Sequence, residues 1–302
     1  MASLDVYAAH YGLSDRPFSL VPDPAYLYWS PDHARAHAVL EYGVLTCAPI
    51  TLVTGEIGAG KTTLMHRFLD EAGDDLCVGL MSSAWDAHED LLLWVLTAFG
   101  EEVDTTLGHV CAMRALQAFL IERYAAGQRC VLIVDEAQNL GRRALEELRM
   151  LTNINARRDE LLQIVLIGQP ELRDAVRGPG MEQLAQRIAA AAHLKAMDAA
   201  TTAGYVAHRL EVAGATTPIF DEAACVMVAE ATGGIPRLVN QLCELALVYG
   251  MAAEAPAGET PRVTAATVRE VLDDGLFFAA RPTPAAAVAS EPVPVPLRPR
   301  AV

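Results

Sequence analysis

Hydrophobic positions follow two rhythms as far as about residue 197, and only one beyond it. Short, nearly unbroken apolar runs recur at "PITLVTG" (49–55), "LCVGLMSS" (76–83), "RCVLIVDEAQ" (129–138) and "LLQIVLIGQP" (161–170). Runs of that length without polar alternation predict strands covered on both faces. "AAHLKAM" (191–197) predicts a shorter, last strand. Between these runs, apolar residues return every three or four positions. "KTTLMHRFLDEAG" (61–73) puts Leu64, Met65, Phe68 and Leu69 on one face and predicts a helix ended by Gly73. "EDLLLWVLTAFG", "AMRALQAFLIERYAAG" and "RRALEELRMLTNI" predict three more helices. Apolar strands alternating with helices imply an α/β parallel sheet sandwiched by helices.

From Asp198 on, only the helical rhythm remains. "TTAGYVAHRLEVAG" predicts a helix with a Thr N-cap, and "DEAACVMVAEATGG" one capped by Asp221. "PRLVNQLCELALVYG" sets Leu238, Leu242, Leu245 and Tyr249 on one stripe, and "TAATVREVLDDGLF" starts at Thr264. Four such segments predict a small all-helical domain. The expected organisation is therefore a 1–48 N-terminal segment packing on the core, a 49–197 sheet core and a 198–279 helical domain. A 280–302 tail rich in Pro and Ala is expected to be disordered or extended. Within the first segment, several prolines and aromatics predict an irregular stretch and then a short helix from about Asp32.

Composition narrows the class. At 52% apolar and 20% charged, 302 residues can bury a sizeable core. No apolar run approaches the ~20 residues that cross a bilayer. The N-terminus has neither a basic start nor an apolar stretch of leader type, so a cytoplasmic location is expected. Six cysteines stand singly with no CxxC pair, which predicts buried reduced thiols and no metal site. A net charge of -15 disfavours non-specific nucleic-acid binding, while leaving room for a local basic patch. The arginine pairs at 142–143 and 157–158 leave DNA open but not favoured.

The chain has only two lysines, Lys61 and Lys195. Lys61 falls in "GEIGAGKT" (55–62), which fits the phosphate-loop pattern G-x-x-x-x-G-K-[ST] with a strand before it and a helix after it. At this composition the pattern arises by accident in roughly one such chain per thousand. Gly55, Glu56, Gly58, Ala59, Gly60, Lys61, Thr62 and Thr63 are therefore the expected nucleotide-binding residues. Glycine lets the backbone wrap around phosphates with its N–H groups inward, and the helix N-terminus adds partial positive charge. Lys61 is expected to meet the β- and γ-phosphates of ATP, and Thr62 to offer its hydroxyl to Mg²⁺. "VLIVDEAQ" ends a central strand with Asp135, a second Mg²⁺ ligand, and Glu136, which would accept a proton from or orient the attacking water. Gln169 follows a third apolar strand; it either touches the γ-phosphate or the water, or is an ordinary turn glutamine before Pro170. Arg187 and Arg237 either stabilise charge on the transferring phosphoryl group, in cis or from a neighbour, or are surface arginines.

These motifs, together with "YGLSDRPFSLVPDPAYLYWSPDHARAHAVLEYGV", "ELLQIVLIGQPELRD", "LAQRIAAAAHL" and "GGIPRLVNQLCELAL", resemble the AAA+ ATPases of the ExeA type, the general secretion pathway protein A family. The likeness spans most of residues 7–250 and extends to the TniB/TnsC-type transposition ATPases. It implies a P-loop NTPase (AAA+) core with a four-helix lid, and ATP held between them at a subunit boundary of a ring or filament. By the same resemblance Arg187 matches the arginine finger, Arg237 the lid arginine, Gln169 the sensor and Glu136 the catalytic acid. The resemblance implies an ATP hydrolase that forms a homo-oligomer and drives or regulates a secretion- or envelope-associated partner complex. The alternatives are an ATP-dependent, DNA-binding regulator of transposition and a slow nucleotide switch acting as a scaffold. Long members of the family continue into a membrane span and a cell-wall-binding domain. Here a proline-rich tail of about twenty residues follows instead, so the chain is expected to be the ATPase module alone.

Overall fold

The computed structural model describes residues 7–21, 23–82, 90–104, 108–156, 159–253 and 262–278. The 280–302 tail and the 157–158 arginine pair lie outside these residues. Seven strands occur among them: β1 (Ile50–Gly55), β2 (Leu76–Met81), β3 (Arg129–Val134), β4 (Asn155–Ala156), β5 (Asp159–Glu160), β6 (Leu162–Gly168) and β7 (Ile188–Leu194). Five form one parallel sheet in the order β2-β3-β6-β1-β7, and β4 and β5 pair as a separate small hairpin. The last sheet strand begins at Ile188, three residues before the predicted run, and Lys195 to Met197 have already left the sheet.

The helices are α1 (Ala8–Tyr11), α2 (Pro31–Leu45), α3 (Lys61–Glu71), α4 (Leu91–Ala98), α5 (His109–Ala125), α6 (Arg142–Leu151), α7 (Pro170–Arg177), α8 (Glu182–Arg187), α9 (Ala199–Val212), α10 (Glu222–Thr232), α11 (Pro236–Ala252) and α12 (Ala265–Asp273). The two-residue period of the strands sorts their side chains between two cores. Leu52, Leu132, Val134, Ile164 and Leu166 face α4 to α8. Val53, Val131, Ile133, Val165 and Ile167 face α2 and α3. The α2 helix is a full fifteen residues rather than a short helix, capped by Ser30, and it packs on β7 and β1.

Helices α9 to α12 enclose a third core. Here the structure corrects two expectations. The first helix is capped by Asp198, whose carboxylate accepts from the Thr201 N–H, and not by a threonine. The buried seam of α11 is Val239, Leu242, Cys243, Ala246 and Leu247, while Leu238, Leu245 and Tyr249 are only half-buried at its rim. The N-terminal segment also divides. Only α2 packs on the sheet; Tyr7, Ala8, Leu13, Phe18 and Tyr26 are buried in the helical core. Tyr7 and Arg16 both bond to Glu244 on α11, Tyr7 at 2.6 Å. Of the six free thiols, Cys130, Cys225 and Cys243 are buried as expected, Cys77 is half-buried, and Cys47 and Cys111 are exposed.

Candidate functional site

In a parallel sheet every strand ends on the same edge, so the loops after β1, β3 and β6 are brought together there by topology alone. The loop after β1 runs from Gly55 into the first turn of α3. Gly58 and Gly60 have φ of 78° and 94°, a region that side chains disfavour. At Gly58 space is also limiting, since a Cβ would come within 2.5 Å of the Arg237 Cβ. Lys61 is 6% exposed, and its ammonium donates to the carbonyls of Gly55 (2.8 Å) and Glu56 (2.9 Å). Burial pulls its pKa down, against the opposing charges of Glu136 and Asp135. Two of three N–H donors hold the loop, which leaves one for an anion lying in it.

Asp135 follows β3 directly. Its carboxylate accepts from the Glu136 N–H (2.8 Å), and the Thr62 hydroxyl lies near enough to favour its ionised form. Burial raises its pKa, with the Glu136 charge adding to the effect and Lys61 and Thr62 opposing it. A hydroxyl and a carboxylate paired beside a phosphate loop form an oxygen donor set suited to Mg²⁺. Glu136 sits in the left-handed region, φ 53° and ψ 36°, which is uncommon for a residue with a side chain. Its Oε2 accepts from the side-chain amides of Gln138 (2.5 Å) and Gln169 (3.3 Å). Gln169 thus lies at the expected place and touches the acid directly.

The two arginines separate. Arg237, in the first turn of α11 behind Pro236, donates its backbone N–H to the Gly58 carbonyl at 3.3 Å, so the helical domain rests on the phosphate loop. Its side chain is exposed at the cleft. Arg187 is elsewhere. It ends α8 just before β7, and the register pairs Ile188 with Ile50 but Leu194 with Gly55. That places it at the opposite end of the sheet, roughly 16 Å along the strand from the loop. There it bonds to Glu160 (3.0 Å) and Asn153.

A cleft of about 340 Å³ opens between the loop, the helical domain and the N-terminal segment. Several of its residues escape sequence reasoning. His33 is buried, and its Nδ1 lies 2.7 Å from the Ser30 Oγ and its Nε2 3.1 Å from the Ala59 carbonyl, so α2 braces the loop. Burial lowers its pKa, and the neutral ring donates from Nε2 while accepting at Nδ1. Arg209 stacks over Tyr26 (4.9 Å) and donates to the Tyr205 hydroxyl (3.0 Å), which donates to Asn240 (2.8 Å). Burial pushes the Tyr26 hydroxyl up to about 12. Lys61, Arg209 and Arg237 share the cleft with the carboxylates of Asp23 and Glu136, a small excess of positive charge inside a chain of net charge -15. The one available signal was the cluster of aromatics at 26–29.

Residues 46–176 match the family model described as the AAA domain. General secretion pathway protein A of Aeromonas hydrophila is 40% identical over 247 residues, covering 82% of this chain and 45% of that relative's length. Among solved structures, Cdc6p from Pyrobaculum aerophilum superposes with a TM-score of 0.67 at 14% identity, over 89% of this chain and 73% of that one. The Aeropyrum pernix ORC2 protein, solved as ADPNP–ADP complexes, superposes with a TM-score of 0.61 at 18% identity, over 86% and 72%. At such identities these two speak for the fold. With the phosphate loop, the acid pair and the strand order in place, the chain has the AAA+ P-loop NTPase fold and is similar over most of its length to general secretion pathway protein A.

Proposed function

We propose that this chain binds ATP with Mg²⁺ in the cleft and hydrolyses it to drive or regulate assembly of a secretion- or envelope-associated complex. The observation that carries the reading is the convergence of Lys61, the Thr62–Asp135 pair and the Glu136–Gln169 pair at one sheet edge, with α11 packed on the loop. Loop N–H groups and Lys61 bind the phosphates, Thr62 and Asp135 hold the metal, and Glu136 orients the attacking water and takes its proton. Bound magnesium supplies positive charge beside the phosphate oxygens. Arg237 reaches the nucleotide from the helical domain. Arg187 serves the site of a neighbouring copy in a homo-oligomer, because its place at the far end of β7 keeps it from its own. The secretion role rests on the likeness to the Aeromonas protein alone.

Glu136→Gln tests the chemistry. It keeps the shape and an amide oxygen, and removes the base. Turnover is expected to fall by about a hundredfold or more while binding of a fluorescent ATP analogue is retained. Equal turnover in wild type and variant would remove Glu136 from the reaction.

A further inference from the structure

Gln138 uses both ends of its side-chain amide inside the proposed site. Its Nε2 donates to the Glu136 Oε2 at 2.5 Å, and its Oε1 accepts the Gln169 backbone N–H at 3.0 Å. The Gln169 side chain donates to the same Glu136 oxygen at 3.3 Å. Glu136, Gln138 and Gln169 therefore close a ring of three hydrogen bonds between the end of β3 and the end of β6. Using both ends fixes the amide orientation, because a flip would set oxygen against oxygen and nitrogen against nitrogen. The support around the ring is rigid. Gln138 rides on a short 3-10 turn (Ala137–Asn139) whose first residue is fully buried, and Gly168 leaves space for its oxygen: a Cβ there would lie 2.8 Å from Oε1. The backbone N–H it accepts belongs to the residue that caps α7, a donor without a partner inside that helix.

The geometry points to Gln138 as a positioning residue that locks the Glu136 carboxylate to Gln169. One carboxylate oxygen is tied by two amides, which leaves Oε1 free of them on a residue that lines the cleft. Any shift of β6 or the start of α7 is carried by Gln138 to the acid as well as by Gln169 itself. The assignment rests on the hydrolytic reading of the site and deepens it.

The test is steady-state ATP turnover with Mg²⁺ for wild type, Gln138→Met, Gln169→Ala and the double variant, with nucleotide affinity measured alongside. Gln138→Met keeps length and removes both hydrogen bonds. It is expected to lower kcat roughly tenfold or more with KM changed less than about threefold, since misorientation of an acid affects the chemical step and not phosphate binding. The double variant should lose less than the product of the single losses, by a factor of about five, because the two amides act through one carboxylate. Gln138→Glu retains the acceptor for Gln169 but sets a carboxylate against Glu136; it is expected to be no better than Gln138→Met, and it carries the same prediction if Gln138→Met fails to fold. Wild-type turnover with an unchanged kcat in a folded Gln138 variant, or strictly multiplicative losses, overturns the positioning role alone. No turnover by wild type above a Lys61→Met background overturns the hydrolytic reading and this assignment with it.

Discussion

Asp135 serves two opposed demands. Burial raises its pKa, so the ionised form that would hold a metal works against the fold. An acid whose folded pKa lies above the unfolded one opposes folding at every pH above that folded value, and the penalty fades as pH falls towards the unfolded value of about 4. Asp135→Asn keeps the outline and deletes the charge. At pH 7, without nucleotide, thermal unfolding is expected to shift upward by an amount on the order of 1 kcal/mol, as when a site is relieved of functional strain. The gain should vanish near pH 4, and magnesium-dependent turnover should be lost. A lower melting temperature at pH 7, measured by calorimetry, would contradict the assignment. At this scale the sequence was most informative where chemistry demands a fixed spacing. Lys61, Thr62, Asp135 and Glu136 were legible because backbone geometry and charge leave few substitutes. Gln138 and His33 were not, because each works through a contact made only after distant segments meet: His33 with Ala59 across 26 residues, and Gln138 with Gln169 across 31.

Among elements, the connection into α11 is under the tightest constraint. Gly234 has φ of 70°, and a Cβ there would overlap the Met197 carbonyl. The Gly234 carbonyl accepts from the Met197 N–H at 2.9 Å, which joins the start of the helical domain to the turn before α11. Gly234→Ala adds a strained backbone to a steric clash. It is expected to cost roughly 3 kcal/mol or more in urea unfolding, against about 1 kcal/mol for Gly233→Ala, where φ is 59° but no atom lies within 4 Å. Equal small losses at both positions would mean the contact is absent in solution. Element existence was legible from periodicity throughout, since strands buried on both faces and amphipathic helices carry different spacings. Ends and facings were less so. The α11 stripe was displaced by one position because the helix is packed on several sides, so more than one spacing fits its apolar residues. The cap of α9 went to Asp198 because its carboxylate reaches the Thr201 N–H at 2.7 Å, one turn ahead of the predicted threonine.

At the scale of the molecule, Arg187 and Lys61 lie at opposite ends of the sheet, so a complete site needs two copies if Arg187 contributes. Lys61→Met and Arg187→Ala are each expected to be nearly inactive alone. Mixed in equal amounts, they should recover a substantial fraction of wild-type turnover, because some junctions pair an intact loop with an intact arginine. Absence of recovery at concentrations where wild type assembles would confine Arg187 to its bonds with Glu160 and Asn153. The division into sheet and helical domains was legible from the change of rhythm at Asp198. The path of the first segment was not, because its aromatics suit either core and only the assembled fold shows that residues 7–28 join α9 to α12.

That path has a mechanical result. Backbone passes between the two bodies twice, once between Tyr28 and α2 and once between Leu194 and Met197, and the passages are neighbours, since His33 at the start of α2 reaches the Ala59 carbonyl while Leu194 pairs with Gly55 at the start of the same loop. Two adjacent passages act like the paired pins of a door: reorientation reduces to a swing about the line through them. The touch of Arg237 on Gly58 is a further link between the two bodies, so whatever wedges between them sets how far the door stands open.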